Sequence, residues 1–149
     1  MSGNRFTLDT NLLVYAVDRD AGERHHEAID IVDRAVDQDC VLTLQVLAEF
    51  FHAVTRKGKL PIADAAEQVN DWQMLFPVVA ADVQALIRAM SAVQHHSLSF
   101  WDALLWATAK AAGVNVLLSE DFQDRRELEG IRFRNPFAVQ DPYAPEGDS

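Results

Sequence analysis

The chain has 149 residues, 49% of them hydrophobic, and its 13 basic and 23 acidic side chains give a formal net charge of −10. This length and apolar content suit one domain with a buried core and exclude extensive disorder, and the acidic balance argues against broad electrostatic attraction to nucleic acid. We expect neither a membrane span nor a signal peptide, and the single cysteine, Cys40, excludes internal disulfides and fits the reducing cytoplasm.

The pattern of apolar residues predicts strands that alternate with helices. Helices are indicated by apolar residues three or four positions apart, and buried strands by short uninterrupted apolar runs. In chain order, the predicted elements are a strand at 5–8, a helix at 24–38, a strand at 40–44, a helix from Val46 to Gly58, a helix at about 62–75, a strand at 76–79, a helix marked by Val83, Leu86, Ile87, Met90 and Val93, a helix at 99–112, and strands at 114–118 and 131–133. This order predicts an α/β fold with a mostly parallel sheet.

The compact unit is expected to end near residue 137. From Asp141 onward the chain reads D-P-Y-A-P-E-G-D-S, which is rich in proline and acid and poor in apolar residues. Such a composition is typical of a loosely packed terminus. We therefore assign residues 1–137 to one domain and residues 138–149 to an acidic, proline-containing tail that we expect to be flexible.

Four acidic residues fall where such a fold collects its chemistry. Ligands of an open parallel sheet bind beyond the carboxyl ends of its strands. Asp9 directly follows the first predicted strand, and Asp121 lies just past the fourth. Glu49 is early in the helix after the second strand, and Asp102 is in the first turn of a helix that must start at the same edge. The four carboxylates are therefore expected to converge on one rim.

Each of these acids also has a purely structural explanation. Asp9 would cap the helix that follows it, and Ser99 with Asp102 matches a capping box. Asp121 would be a loop acid, and Glu49 a solvated flank residue. This explanation suits Glu49 least, because the residue lies on the shoulder of an apolar stripe, where a carboxylate needs a cation or hydrogen-bond donors. The sequence alone leaves both explanations open.

Converging carboxylates predict a divalent metal site. Like charges in proximity raise each other's pKa, and a hard cation removes that penalty. Mg²⁺ and Mn²⁺ prefer oxygen ligands, and at such a site they hold a phosphodiester and lower the pKa of an attacking water. We therefore expect Mg²⁺, with Mn²⁺ as a substitute, at Asp9, Glu49, Asp102 and Asp121. Asn11, two residues after Asp9, would orient a ligand or water.

The stretches that carry these acids have a recognisable order and spacing. They read LDTNLLVYA from Leu8, QVLAEFF from Gln45, SFWDALL from Ser99 and LLSEDF from Leu117, and N-P-F follows from Asn135. Together they resemble the motifs of PIN-domain nucleases, particularly the VapC-type toxins of bacterial toxin–antitoxin pairs. The resemblance extends over roughly residues 4–137.

The resemblance implies a PIN-like, three-layer α/β/α nuclease domain with Mg²⁺- or Mn²⁺-dependent endoribonuclease activity. Asp9, Glu49, Asp102 and Asp121 occupy the catalytic and metal-binding positions of the family. A homodimer is also implied, together with a small cognate antitoxin that inhibits the toxin and through which alone operator DNA is bound. No membrane partner is expected.

The last motif departs from the T-x-D-x-D pattern that is frequent in the wider family. The chain has S-E-D-F-Q-D from Ser119, so Asp121 keeps its place after a hydroxyl residue while the next aspartate is displaced. Glu120 or Asp124 would then share the role of Asp121. Around the metal ligands we expect the polar residues Asn11, Ser119 and Asp124.

Two groups of basic residues are candidates for contact with RNA. Arg56 and Lys57 lie in one short segment, and Arg125 and Arg126 lie near the other end of the chain. They would flank an RNA path or simply form solvated basic faces. Two other functions are compatible with the same fold: an RNA-processing or DNA-cleaving PIN enzyme without an antitoxin, and a non-catalytic protein-interaction domain.

Overall fold

The computed structural model describes residues 3–145, in which two α-helices follow each of the first three strands. The strands are β1 (Phe6–Leu8), β2 (Leu42–Thr43), β3 (Val78–Val79), β4 (Val116–Leu118), β5 (Glu127–Leu128) and β6 (Ile131–Arg134). The helices are α1 (Thr10–Val17), α2 (Glu23–Ala35), α3 (Leu44–Arg56), α4 (Ile62–Leu75), α5 (Val83–His96) and α6 (Phe100–Ala111), and a 3₁₀ turn (Arg19–Ala21) follows α1.

The central sheet is parallel except at one edge. Four strands pair in the order β1-β4-β6-β5, and β2 pairs with β3. A parallel bridge between Phe6 and Cys40 joins β1 to the segment that leads into β2. Among the strands of residues 3–145, only β5 and β6 pair in antiparallel fashion. The predicted α/β fold with a mostly parallel sheet is therefore confirmed.

The two central strands are covered on both faces. All three residues of β1 and all three of β4 are buried. Because successive strand residues point to opposite faces, burial of the whole strand requires helices on each side of the sheet. This produces the predicted three-layer arrangement. None of the helices in residues 3–145 is both long and apolar enough to cross a membrane.

The second strand is shorter than the predicted run at 40–44. Thr43 ends β2, and its side-chain oxygen accepts a hydrogen bond from the backbone N–H of Val46 at 3.1 Å. Threonine in this role is an N-cap, so the next residue, Leu44, already begins α3. The chain therefore passes from strand to helix with no intervening loop, which places the first turns of α3 at the carboxyl edge of the sheet.

An antiparallel hairpin near the C-terminus was not predicted. β5 and β6 are joined by Glu129 and Gly130, which have φ values of 48° and 91°. Two successive positive φ values are typical of a type I′ turn, in which the favoured first residue is asparagine, aspartate or glycine. Glutamate at that position lacks the usual signal, and the two-residue strand β5 was too short to predict.

Helix α5 lies where the sequence predicts it, but its large apolar side chains face solvent and not the core. The large apolar residues that marked it are all exposed, and its buried residues are Ala85, Ala89 and Ala92. This alanine face allows α5 to pack closely on α6. The exposed apolar residues of α5 are Val83, Leu86, Ile87, Met90 and Val93.

Part of the segment that was expected to be a flexible tail packs on the domain. Tyr143 is buried, donates a hydrogen bond to the carbonyl of Ile31 at 2.5 Å, and contacts the Phe6 ring edge-on with centroids 5.0 Å apart. Arg34 of α2 adds an ion pair with Asp141 at 2.8 Å. Residues 146–149 of the tail lie outside the described residues.

Substitution of Tyr143 measures how much its contacts contribute to the stability of the domain. We expect Tyr143→Phe to lower the free energy of unfolding by about 1 kcal/mol, since only the hydroxyl hydrogen bond is lost. Tyr143→Ala also removes the buried ring, and we expect a loss of about 3 kcal/mol. Urea unfolding curves of the two variants and the wild type provide the comparison. Equal stability of all three would show that the segment does not contribute to the fold.

Candidate active site

Asp9 is the buried centre of the acidic rim. It follows β1 and caps α1, and its carboxylate accepts hydrogen bonds from the Thr10 N–H at 2.7 Å and the Ser119 hydroxyl at 2.6 Å. Burial raises the pKa of Asp9 to about 6; the two hydrogen bonds oppose this rise, while the charges of Asp102 and Asp121 add to it. The residue is therefore both the predicted cap and a carboxylate placed next to other acids.

Asp121 approaches Asp9 from the loop after β4. Its backbone N–H donates to the Ser119 hydroxyl at 3.0 Å, and its carboxylate accepts a hydrogen bond from the side-chain amide of Asn11. Partial burial and the charges of Glu120 and Asp102 raise the pKa of Asp121. Ser119 thus links Asp9 and Asp121 directly, and both polar residues predicted beside these acids, Asn11 and Ser119, contact them.

Asp102 lies in the first turn of α6, near enough to Asp9 and Asp121 for its charge to raise the pKa of both. Its backbone N–H donates to the Ser99 hydroxyl at 3.4 Å, which is the first half of the capping box. Within residues 3–145, no hydrogen bond returns from the Ser99 N–H to the Asp102 carboxylate. The carboxylate instead acts electrostatically on Asp9 and Asp121. Capping therefore does not explain this side chain.

Glu49 joins the site through hydrogen bonds from its neighbours. Its Oε1 atom accepts from the Thr10 hydroxyl at 3.1 Å and from the Gln45 side-chain amide at 3.2 Å. Gln45 also donates to the carbonyl of Trp101 at 3.0 Å, next to Asp102. Glu49 is half-buried, as its place beside the apolar stripe indicated. The contacts of Thr10 and Gln45 were missed, although each has a sequence signal: Thr10 adjoins Asp9, and Gln45 lies one helical turn before Glu49.

The two remaining acids of the last motif have other partners. The Asp124 carboxylate accepts a hydrogen bond from the Asn135 N–H at 2.7 Å and caps that turn. Glu120 accepts a hydrogen bond from the Tyr15 hydroxyl and pairs with Arg24 at 3.6 Å. Neither carboxylate is hydrogen-bonded to Asp9, Glu49, Asp102 or Asp121 among residues 3–145. No hydrogen-bond contact of Asp124 with the four candidate metal ligands is therefore found in residues 3–145, although it was expected beside them.

The donor chemistry fits a hard divalent cation. Within the described part of the chain, no three carboxylate, thiol or imidazole side chains are close enough to form a direct three-residue metal cage. Mg²⁺ usually binds through one or two carboxylates and several waters, so a full protein cage is not required. The ion pairs of residues 3–145 also give none of the four acids a basic partner. Asp9, Asp102 and Asp121 repel one another without an internal counter-ion.

The predicted RNA-contacting residues lie at two places. Arg56 and Lys57 are exposed at the end of α3, two turns beyond Glu49. Arg125 is exposed after the acidic loop, whereas Arg126 donates to the carbonyl of His96 at 2.9 Å. Arg56, Lys57 and Arg125 form no ion pair among residues 3–145 and leave their cationic groups available to solvent.

Solved structures with the same fold come from several bacteria. The chain aligns with a toxin–antitoxin complex from Klebsiella pneumoniae at 18% identity and a TM-score of 0.63, covering 89% of this chain and 98% of that one. It aligns with VapC20 of Mycobacterium tuberculosis, described as a sarcin-ricin loop cleaving toxin, at 18% identity and a TM-score of 0.59, covering 75% and 86%. VapBC2 of Rickettsia felis, bound to a DNA fragment from its promoter, aligns at 12% identity and a TM-score of 0.65, covering 87% and 97%.

Comparison of the sequence with protein families gives a direct assignment. No curated protein matches the chain. The family model of the PIN domain, however, matches residues 6–126, which is most of the chain and includes all four candidate acids. The resemblance that the motifs indicated is therefore confirmed, and the chain belongs to the PIN domain family.

Proposed function

We propose that the protein is a divalent-metal-dependent endoribonuclease that hydrolyses RNA phosphodiesters with a metal-activated water. The observation that carries the proposal is the link between Asp9 and Asp121 through the Ser119 hydroxyl, with Asp102 near enough for its charge to raise the pKa of both and with no basic partner in residues 3–145. Mutual repulsion of this kind is costly in a purely structural cluster, and a bound cation removes the cost.

Each polar residue has a distinct part in this proposal. Asp9, Glu49 and Asp102 would hold the principal ion directly or through water, and Asp121 would complete or bridge a second position. Mg²⁺, or Mn²⁺ in its place, would supply a water of lowered pKa and would stabilise the leaving oxygen. Ser119, Thr10 and Asn11 orient the carboxylates through the hydrogen bonds described above.

We further propose that the enzyme is the toxin of a toxin–antitoxin pair and acts in the cytoplasm. Support comes from the relatives: VapC20 is described as a toxin that cleaves the sarcin-ricin loop, and the Klebsiella structure is a toxin–antitoxin complex. The Rickettsia complex is bound to promoter DNA. By analogy, a small antitoxin would inhibit this chain and carry it to operator DNA, while exposed Arg56, Lys57 and Arg125 would contact RNA.

Cleavage assays test the activity directly. The purified chain is incubated with total RNA, transfer RNA and single-stranded DNA, in Mn²⁺ or in chelator. We expect RNA fragments in Mn²⁺ only and intact DNA. DNA cleavage would favour the alternative of a DNA-cleaving PIN enzyme without an antitoxin. Intact RNA under all conditions, together with a melting temperature that Mn²⁺ does not raise, would favour a non-catalytic domain.

The outward face of α5 supports the proposed homodimer. Five large apolar side chains stand exposed on this helix, with Ile87 near their centre. Contiguous apolar surface of this kind is typical of a protein interface. We expect Ile87→Glu to convert a dimer to a monomer in light scattering at micromolar concentration, with unchanged circular dichroism, since the side chain is half exposed. Gln84→Glu, exposed on α5 outside the apolar stripe, is the matched control, and a monomeric wild type would contradict the proposal.

A further inference from the structure

Two side chains of helix α1 each bind one of the two adjacent acids in the loop after β4. Asn11 donates a hydrogen bond to Asp121, and the Tyr15 hydroxyl donates one to Glu120. Asn11 and Tyr15 are four residues apart, so they lie on the same face of the helix, one turn from each other. One helix face therefore fixes the direction of two neighbouring carboxylates.

Glu120 has a complete set of partners outside the acidic site. Its Oε1 atom accepts from Tyr15, and its Oε2 atom lies 3.6 Å from the Arg24 guanidinium. Arg24 in turn lies over the ring of Phe137 at 4.1 Å, and Tyr15 meets the same ring edge-on with centroids 5.9 Å apart. Unlike the four acids of the site, Glu120 pairs with a basic side chain in residues 3–145, although its charge still raises the pKa of Asp121.

The ends of the loop are fixed independently of these contacts. Ser119 is buried, and the ring of Phe122 stacks on Phe133 with centroids 4.3 Å apart and an interplanar angle of 9°. Only the two acids between these anchors remain to be oriented. Because Glu120 and Asp121 are consecutive, the contacts that hold Glu120 restrict how the loop turns, and in this turn Asp121 is linked to Asp9 through Ser119.

The N-P-F motif near the C-terminus packs against Tyr15 and Arg24, the two partners of Glu120. The Asn135 side chain accepts a hydrogen bond from the Phe137 N–H at 3.0 Å, and the Asn135 N–H donates to Asp124 at 2.7 Å. This turn places the Phe137 ring against both Tyr15 and Arg24. Through Asn135 and Phe137, the displaced aspartate Asp124 is therefore connected to the two residues that contact Glu120.

We infer that Tyr15 is a positioning residue, which together with Arg24 holds Glu120 out of the acidic rim and so directs Asp121 into it. The inference rests on the proposed function, because it assigns Asp121 to a metal site. It also distinguishes the two neighbouring acids: Asp121 contacts the ion or its water, and Glu120 does not.

Hydrogen exchange and Mn²⁺ titration of two tyrosine variants test the inference. Tyr15→Phe removes only the hydroxyl that holds Glu120. Tyr143→Phe is the matched control, since it removes the hydroxyl of the only other tyrosine in the sequence, which binds Ile31. In the metal-free chain, we expect Tyr15→Phe to speed amide exchange at residues 120–122 roughly tenfold. We expect its Mn²⁺ dissociation constant, measured by calorimetry, to rise roughly tenfold. Tyr143→Phe should change neither quantity.

Glu120→Gln separates positioning from direct metal binding. Glutamine keeps an oxygen that accepts from Tyr15 and loses only the longer ion pair with Arg24, so we expect its Mn²⁺ affinity to fall by no more than about threefold, whereas Asp121→Asn should lose at least about tenfold. A loss in Glu120→Gln as large as in Asp121→Asn would make Glu120 a ligand and overturn the inference. Unchanged exchange in Tyr15→Phe would also overturn it, without reference to metal. A wild type that binds no Mn²⁺ would overturn the proposed function, and with it the assignment of Asp121.

Discussion

We expect Asp9→Asn and Asp102→Asn each to lower RNA cleavage at least about a hundredfold. Asparagine preserves the size of the side chain but removes the negative charge that a divalent ion requires, and loss of metal activation of a water is worth several kcal/mol of barrier. Asp9 stands at the buried centre of the site, where its charge interacts with Asp102 and Asp121. Initial rates on a fluorogenic RNA at saturating Mn²⁺ provide the measurement.

The control must be an aspartate without a role in the rim. Asp71 is exposed on α4 and forms no ion pair among residues 3–145, so we expect Asp71→Asn to cleave at the wild-type rate. Circular dichroism spectra should be the same for all three variants. Full activity in Asp9→Asn or in Asp102→Asn would remove the assignment of the site, as would equal loss in Asp71→Asn.

The parts of the fold that the sequence predicted are those set by local patterns and burial. β1 and β4 were predictable because each is a short apolar run buried on both faces, and α4 because Pro61 and the residues before Pro77 mark its ends. The face that α5 presents to the core was not predictable. Its large residues follow the helical period, but the core accepts only its alanines, and close packing on α6 decides which face turns inward.

The sequence predicts that the candidate acids lie at one edge of the sheet, but it does not predict their side-chain contacts. The rule that chemistry collects at the carboxyl ends of parallel strands placed Asp9 and Asp121 near each other, and the structure joins them through Ser119. Which way each acid of the last motif points depends on Tyr15 and Arg24, which are distant in sequence. Side-chain partners of this kind arise from tertiary packing, which local patterns do not encode.

Without metal, the buried carboxylate of Asp9 should destabilise the protein at neutral pH. Burial raises the pKa of Asp9 from 3.8 to about 6, so between these values the native state binds more protons than the unfolded state. The free energy of unfolding must then fall as pH rises through this window, by about 3 kcal/mol in total. Below pH 3.8 both states are protonated and the penalty is absent.

We therefore expect Asp9→Asn to be more stable than the wild type at pH 7.5 in chelator, by roughly 1–2 kcal/mol. The neutral amide avoids the penalty but has one oxygen for the Thr10 N–H and the Ser119 hydroxyl, so about 1 kcal/mol of hydrogen bonding is lost. At pH 3.5 only that loss remains, and the order of stability should reverse. Urea unfolding at both pH values measures the difference, with Asp71→Asn as control. Added Mn²⁺ should stabilise the wild type and leave Asp9→Asn nearly unchanged. A stability difference independent of pH would show that Asp9 is not a desolvated charge among other acids.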